Sequence, residues 1–257
     1  MLLARFGPEG FYAAGESFER MRLLYSDPFT VPPAQWSFGR AVDFGLEAVR
    51  APLDPGKVVG VGRNYREHAR ELGNPVPAEP VLFLKSPGSV VGPNTPIVLP
   101  PESERVEFEG EIAVVVRERL SRAGAEEAAA SLLGVTCACD VTARDLQRRD
   151  ATFARAKSFD TFCPLGPAVW TRPDLGALEV ITRINGEERQ RGSAAELTWP
   201  LAELVAYASR CMTLEPGDVV LAGTPAGVGP LDAGDVIEVE IPGLGVLVNP
   251  VEEWRGT

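Results

Sequence analysis

The chain has a single histidine, His68, three residues before Glu71 in the run KVVGVGRNYREHARE (residues 57–71). On a helix, residues three apart share a face. An imidazole and a carboxylate at that spacing can form a proton-accepting pair, the carboxylate fixing the tautomer and raising basicity. The same spacing also describes a solvated helix on which the two meet without consequence, so the pair does not settle the matter alone.

A second group of residues points to a cation. In VEFEGEIAVVV, Glu107, Glu109 and Glu111 alternate before an apolar run, and alternation places Glu109 and Glu111 on one strand face. Asp140 closes a second apolar run, VTCACD. Two carboxylates ~4 Å apart repel by about 4 kcal/mol even at an effective dielectric near ~20. A divalent ion removes that cost, and three carboxylates suit an oxygen-seeking ion such as Mg²⁺ or Mn²⁺. An E-x-E pair on an edge strand is also an ordinary solvated face. Of 25 cationic residues only three are lysine, namely Lys57, Lys85 and Lys157. Lys157 is a candidate for stabilising an oxyanion. The glycine-dense GTPAGVG (residues 223–229) follows an apolar run and can offer backbone N–H groups and the Thr224 hydroxyl to an anion.

The elements that must position these groups read as mostly β. A strand leads through Gly60 and Gly62 into Asn64-Tyr65 and a short polar helix, which Gly73 and Pro75 end. Residues 66–80 therefore have the make-up of a movable flap. VLFLKSP is a strand carrying Lys85, residues 121–133 are predicted as a helix capped by Ser121, and AKSFDTFCPLG (residues 156–166) as loop up to Pro167. Asn185-Gly186 predicts a two-residue hairpin, and a helix is expected from Thr198-Pro200 to about Met212. This is α+β, mostly β, with few helices, not alternating βαβ. Pro52 and Pro55-Gly56 mark a boundary, giving a small β-rich N-terminal piece (1–53) and a main domain (54–257).

The totals narrow the function. A net charge of −11 argues against nucleic acid or an anionic membrane as partner. No apolar run approaches membrane-spanning length, and no signal-peptide layout opens the chain. The four cysteines read as reduced core residues of a cytoplasmic protein, since two thiols and a distant histidine do not make a zinc site.

Together, VGVGRNYREHARE, LFLKSP, FEGEIAVVV, CDVTARDLQ, AKSFDTFCPLGP and GTPAGVG resemble the fumarylacetoacetate hydrolase family in order and approximate spacing, over about residues 56–251. One departure is Gly60, where many members carry cysteine. The resemblance implies a mixed β roll, commonly a homodimer, with Glu109, Glu111 and Asp140 holding Mg²⁺ or Mn²⁺. It also implies His68 and Glu71 as a water-activating pair on a lid and Lys157 at the developing charge. Arg144 and Gln147 would contact substrate or lid, Thr224 the substrate carboxylate, and Lys85 is placed with the substrate-binding residues. The expected reaction is hydrolysis of the C–C bond of an acylpyruvate-like acid. Isomerisation of a hydroxymuconate- or heptadiene-dioate-type acid and decarboxylation of oxaloacetate are the alternatives. A non-catalytic ligand-binding module would not require His68 with Glu71, and metal-dependent phosphate hydrolysis would call for more histidines.

Overall fold

The strand Gly110–Val116 is buried at every position, and its alternate residues enter two different cores. Ile112, Val114 and Val116 join one, Ala113 and Val115 the other. A strand covered on both faces needs no polar alternation, which is why the run after Glu111, Ile112 to Val116, is continuously apolar. Antiparallel neighbours flank it, Leu132–Cys139 on one side and Val219–Leu221 on the other. The computed structural model describes residues 1–42, 49–73 and 75–256. Among these, an eleven-stranded sheet runs from Phe38–Ala41 at one edge to Val81–Lys85 at the other. The N-terminal strands enter this sheet where Leu2–Phe6 pairs with Cys163–Thr171.

A five-stranded sheet packs against it and contains the hairpin Glu179–Ile184 and Glu187–Ser193. Asn185 and Gly186 take φ of 53° and 80°, the backbone that a two-residue turn between twisted strands requires. The two sheets touch at Gly110. A Cβ there would lie 1.9 Å from Thr182 Oγ1, so only glycine lets the strand that carries Glu111, with Glu109 just before its first residue, lie flat on its neighbour.

Mostly β with few helices is the architecture found. Three local expectations differ. The helix expected over 121–133 is confined to Ala125–Ala130. Arg122 takes a left-handed φ of 57°, and Leu132 is drawn into the ladder opposite Val116, so sheet pairing overrides an alanine-rich propensity. The stretch expected to be loop up to Pro167 is a strand over Cys163–Thr171 after a short helix, Ala154–Lys157. Its prolines are tolerated because the ladder with Leu132–Cys139 shifts register beside them. Cys137, Cys139 and Cys163 are buried as expected, but Cys211 is exposed, as the last residue of the helix Leu201–Cys211. Among the described residues, no helix is long and apolar enough to cross a membrane.

Candidate active site

Carboxylate oxygens of Glu109, Glu111 and Asp140 lie within 4.8 Å of one another, and all three residues are buried. The sheet brings them together: the Asp140 amide donates to the Glu109 carbonyl at 2.8 Å, and Gly110 pairs with Cys139. Buried cations surround them. Lys157 Nζ donates to Glu109 Oε2 at 2.8 Å and to Asp140 Oδ2 at 2.5 Å. Lys85 Nζ donates to Asp140 Oδ1 at 2.6 Å and to the Val141 carbonyl at 3.2 Å. Arg144 pairs with Glu109 and, at 2.6 Å, with Glu107 Oε2. It also donates to Gln147 Oε1 at 2.5 Å.

The balance is incomplete. Glu107, Glu109, Glu111 and Asp140 are four buried carboxylates beside three buried cations, Lys85, Arg144 and Lys157. Glu109 and Glu111 show the result in opposite directions. Burial works to raise Glu109, but Lys157, Arg144 and His68 pull it well below the usual carboxylate range. Burial, then the charges of Asp140 and Glu109, push Glu111 well above that range. The amide of Gly223, 2.6 Å from Glu111 Oε2, compensates only in part. An oxygen-only donor set with one carboxylate too costly to ionise unaided fits a divalent, oxygen-seeking cation.

His68 sits on the helix Arg66–Glu71 and is buried, with Nδ1 3.2 Å from Glu71 Oε2. The expected three-residue pairing is therefore formed. Glu71 Oε1 accepts from the Gly227 amide at 3.0 Å. The glycine-dense loop does offer N–H groups to anions, but in this structure the anions are the protein's own: Glu111 at Gly223 and Glu71 at Gly227. Thr224 donates its hydroxyl to the Gly110 carbonyl at 2.9 Å and accepts from Gln190 Nε2 at 2.7 Å.

A cavity of 320 Å³ collects the candidates. His68, Glu109, Glu111, Asp140 and Lys157 line it, as do Arg144, Gln147 and Thr224. Lys85 is not among the lining residues and is buried behind Asp140, so its contact is with the carboxylate centre. Phe83 lies over Gly60: a Cβ at residue 60 would stand 2.2 Å from Phe83 Cζ. The ring fills that space and sits 4.8 Å from Lys157 Nζ, a cation–π contact on the cavity wall.

Three contributors were not singled out by sequence. Gln190, fully buried, accepts from the Gly110 amide at 3.0 Å and donates to Thr224, tying the carboxylate strand to the glycine loop. In EERQRGS it reads as one more polar residue on a solvated strand, and nothing in the pattern marks it. Glu107 belonged to the alternating glutamates, and its pairing with Arg144 was the missed half of that signal. Asn64, fully buried, donates to the Ala222 carbonyl at 2.8 Å and accepts from the Trp199 amide at 2.9 Å, fixing the start of the His68 helix to the loop.

A carboxylate centre between two packed sheets, with a helical His–Glu pair above it, defines a mixed-β enzyme class. Comparison with known proteins gives it a family. Residues 57–252 match the fumarylacetoacetate (FAA) hydrolase C-terminal family model, and the chain belongs to this family. It is 43% identical over 209 residues to the mitochondrial oxaloacetate tautomerase FAHD2A of Bos taurus, covering 77% of this chain and 67% of that protein. The structure of 2-hydroxyhepta-2,4-diene-1,7-dioate isomerase from Mycobacterium marinum superposes with a TM-score of 0.88 at 38% identity, over 100% of both chains. Fumarylacetoacetate hydrolase from Exiguobacterium antarcticum gives 0.84 at 33% identity, over 99% of this chain and 100% of that one.

Proposed function

We propose that this protein is a divalent-cation-dependent enzyme that moves a proton on a short 2-oxo or enol acid, interconverting tautomers or double-bond isomers. The observation that carries this reading is that His68, paired through Nδ1 with Glu71, lines one small cavity with three buried carboxylates. Glu109, Glu111 and Asp140 would hold Mg²⁺ or Mn²⁺, which when bound supplies a Lewis acid that polarises the 2-oxo group. Glu71 occupies His68 Nδ1, leaving Nε2 to take a proton from the carbon beside the carbonyl and to return it elsewhere. Lys157 offers an ammonium to the enolate oxygen as charge develops there. Gln147, positioned through its Oε1 by Arg144, would meet the substrate's carboxylate end. The Arg144 guanidinium is itself paired with Glu107 and Glu109. Thr224, its hydroxyl donated to the Gly110 carbonyl, borders the same cavity. The names of relatives at 43% and 38% identity, a tautomerase and an isomerase, support proton transfer as the reaction.

The second reading, favoured by the hydrolase-named relative at 33% identity, is C–C hydrolysis of an acylpyruvate-like acid. There His68 would take its proton from water, and the same cleft run without water would decarboxylate oxaloacetate. The main domain, 54–257, carries this chemistry in either reading. A cytoplasmic homodimer belongs to the proposal and is checked by light scattering. The deciding experiment incubates enol oxaloacetate, a dienol diacid and short acylpyruvates with enzyme and Mg²⁺ and identifies products by NMR. Accelerated enol–keto conversion or double-bond migration is expected. Cleaved acylpyruvate, with enol acids converting at their spontaneous rate, would replace the first reading with the second.

A further inference from the structure

The helix Arg66–Glu71 turns His68 into the carboxylate-lined cavity, and its other side bounds a second cavity of 350 Å³. Arg66, Glu67 and Arg70 form that wall, residues that share a helix face away from His68. Pro225 and Ala226 of the glycine loop form another. Arg191, on the edge strand Glu187–Ser193, and Glu196 just beyond it complete the lining.

Tyr65 lines the same space. It is only 4% exposed, yet its hydroxyl has no hydrogen-bond partner among the described residues. A buried phenolic O–H left unpaired costs free energy, and the fold holds it there. A Cβ at residue 192 would stand 3.0 Å from Tyr65 Cε1 and 2.7 Å from Pro225 Cβ, so Gly192 is what admits the ring beside the loop. Burial, then the charges of Glu111 and of Glu196 on the cavity wall, raise the phenol above its ordinary range. The hydroxyl therefore keeps its proton and lacks an acceptor.

The charges around it say which acceptor fits. Arg66 and Arg70 are exposed, and neither side chain makes a hydrogen bond or ion pair among the described residues. Arg191 is already shared between Glu179 and Glu188, and Glu196 accepts from the Ser193 amide. Glu67 is the one carboxylate of the lining without such a commitment. Two free guanidinium groups and a neutral donor outweigh it, and guanidinium groups bind oxyanions in pairs of hydrogen bonds. A phosphoryl group has three terminal oxygens, one for each of the three donors. The ring of Tyr65 with Pro225 and Ala226 leaves apolar wall for an organic remainder.

We propose that this second cavity binds a phosphoryl group, free or as a small phosphate monoester, on the Tyr65 hydroxyl, Arg66 and Arg70. The site is independent of the 2-oxo acid reading, and no residue of its lining belongs to the first cavity. The test is calorimetry of the protein, with Mg²⁺ present, against glycerol 3-phosphate and inorganic phosphate, the tighter of the two naming the source. Tyr65→Phe should weaken that binding about tenfold and Arg70→Gln severalfold, the range of one charge-assisted contact. Without phosphate, Tyr65→Phe should be at least as stable in urea as the unaltered protein, because no internal hydrogen bond is lost. Three results overturn the site: neither phosphate binds, the variants bind as the unaltered protein does, or Tyr65→Phe is destabilised without ligand.

Discussion

Glu109, Glu111 and Asp140 are held by ladders of the large sheet, by three buried cations and by a glycine fixed against the second sheet. His68 is held by a helix of six residues with no side-chain cap, anchored at its start by Asn64 and at its end by the Glu71–Gly227 contact. One half of the cavity is specified by long-range pairing from many strands, the other by a few local contacts. The glycine loop 223–229 is the piece they share, its amides reaching Glu111 on one side and Glu71 on the other. On the proposed function, such a division would let cation affinity and proton transfer be altered separately, and each half predicts its own set of failures.

The largest effect should come from the sheet half. Chelation, or Asp140→Asn, is expected to drop turnover to the uncatalysed rate, with Mg²⁺ restoring activity only in the chelated protein; full activity after dialysis against EDTA would refute the carboxylate centre. His68→Ala tests the helix half. It should lower kcat by about 10²–10⁴-fold while calorimetry finds Mg²⁺ binding unchanged, and a joint loss of both would show that the halves are not separable. Lys85→Met leaves Asp140 short of a buried partner and should destabilise the metal-free protein by about 3–5 kcal/mol in urea. Gln190→Ala removes the tie between sheet and loop at about 1–3 kcal/mol, measured the same way, and should weaken Mg²⁺ binding with it.

The smallest effect is a pH dependence with two opposed signs. Glu111 is raised by burial and by Asp140 and Glu109. Its contribution to stability is therefore complete below the ordinary carboxylate value and lost as pH rises through its own elevated pKa. Glu109, pulled down by Lys157 and Arg144 against its burial, contributes above the ordinary value and loses that as pH falls. If Glu111 helps to hold Mg²⁺ as proposed, the ion would displace its proton, so the rise in Tm on adding Mg²⁺ should grow with pH above the ordinary carboxylate range. A Tm increment that stays flat or shrinks as pH rises would contradict the assignment of Glu111.

What could be read in the sequence follows the same division. The alternating glutamates, the apolar runs and the Asn185-Gly186 turn are periodic or local signals, and the strands they announce are present. The His68–Glu71 spacing was equally local. The range of 121–133 was misjudged because residue preferences there favour helix while the partner strand lies elsewhere in the chain. Gln190 and Asn64 were invisible for a related reason. Their duties are to backbone atoms 80 and 158 residues away, and a polar residue bonded to distant backbone has no pattern of its own.

The ring of Phe83 over Gly60 has a consequence for oxidation. Residue 60 is where the family resemblance leads one to expect a cysteine, and the ring occupies the space its side chain would need. None of the four cysteines lines the cavity. Burial pushes the thiols of Cys137 and Cys163 up to about 12, far from the thiolate form that peroxides and alkylating agents attack. Exposed Cys211, on a helix outside the cavity, is left as the accessible target. The cavity lining thus offers no thiol to oxidants or alkylating agents, and turnover should survive complete alkylation of the accessible thiol.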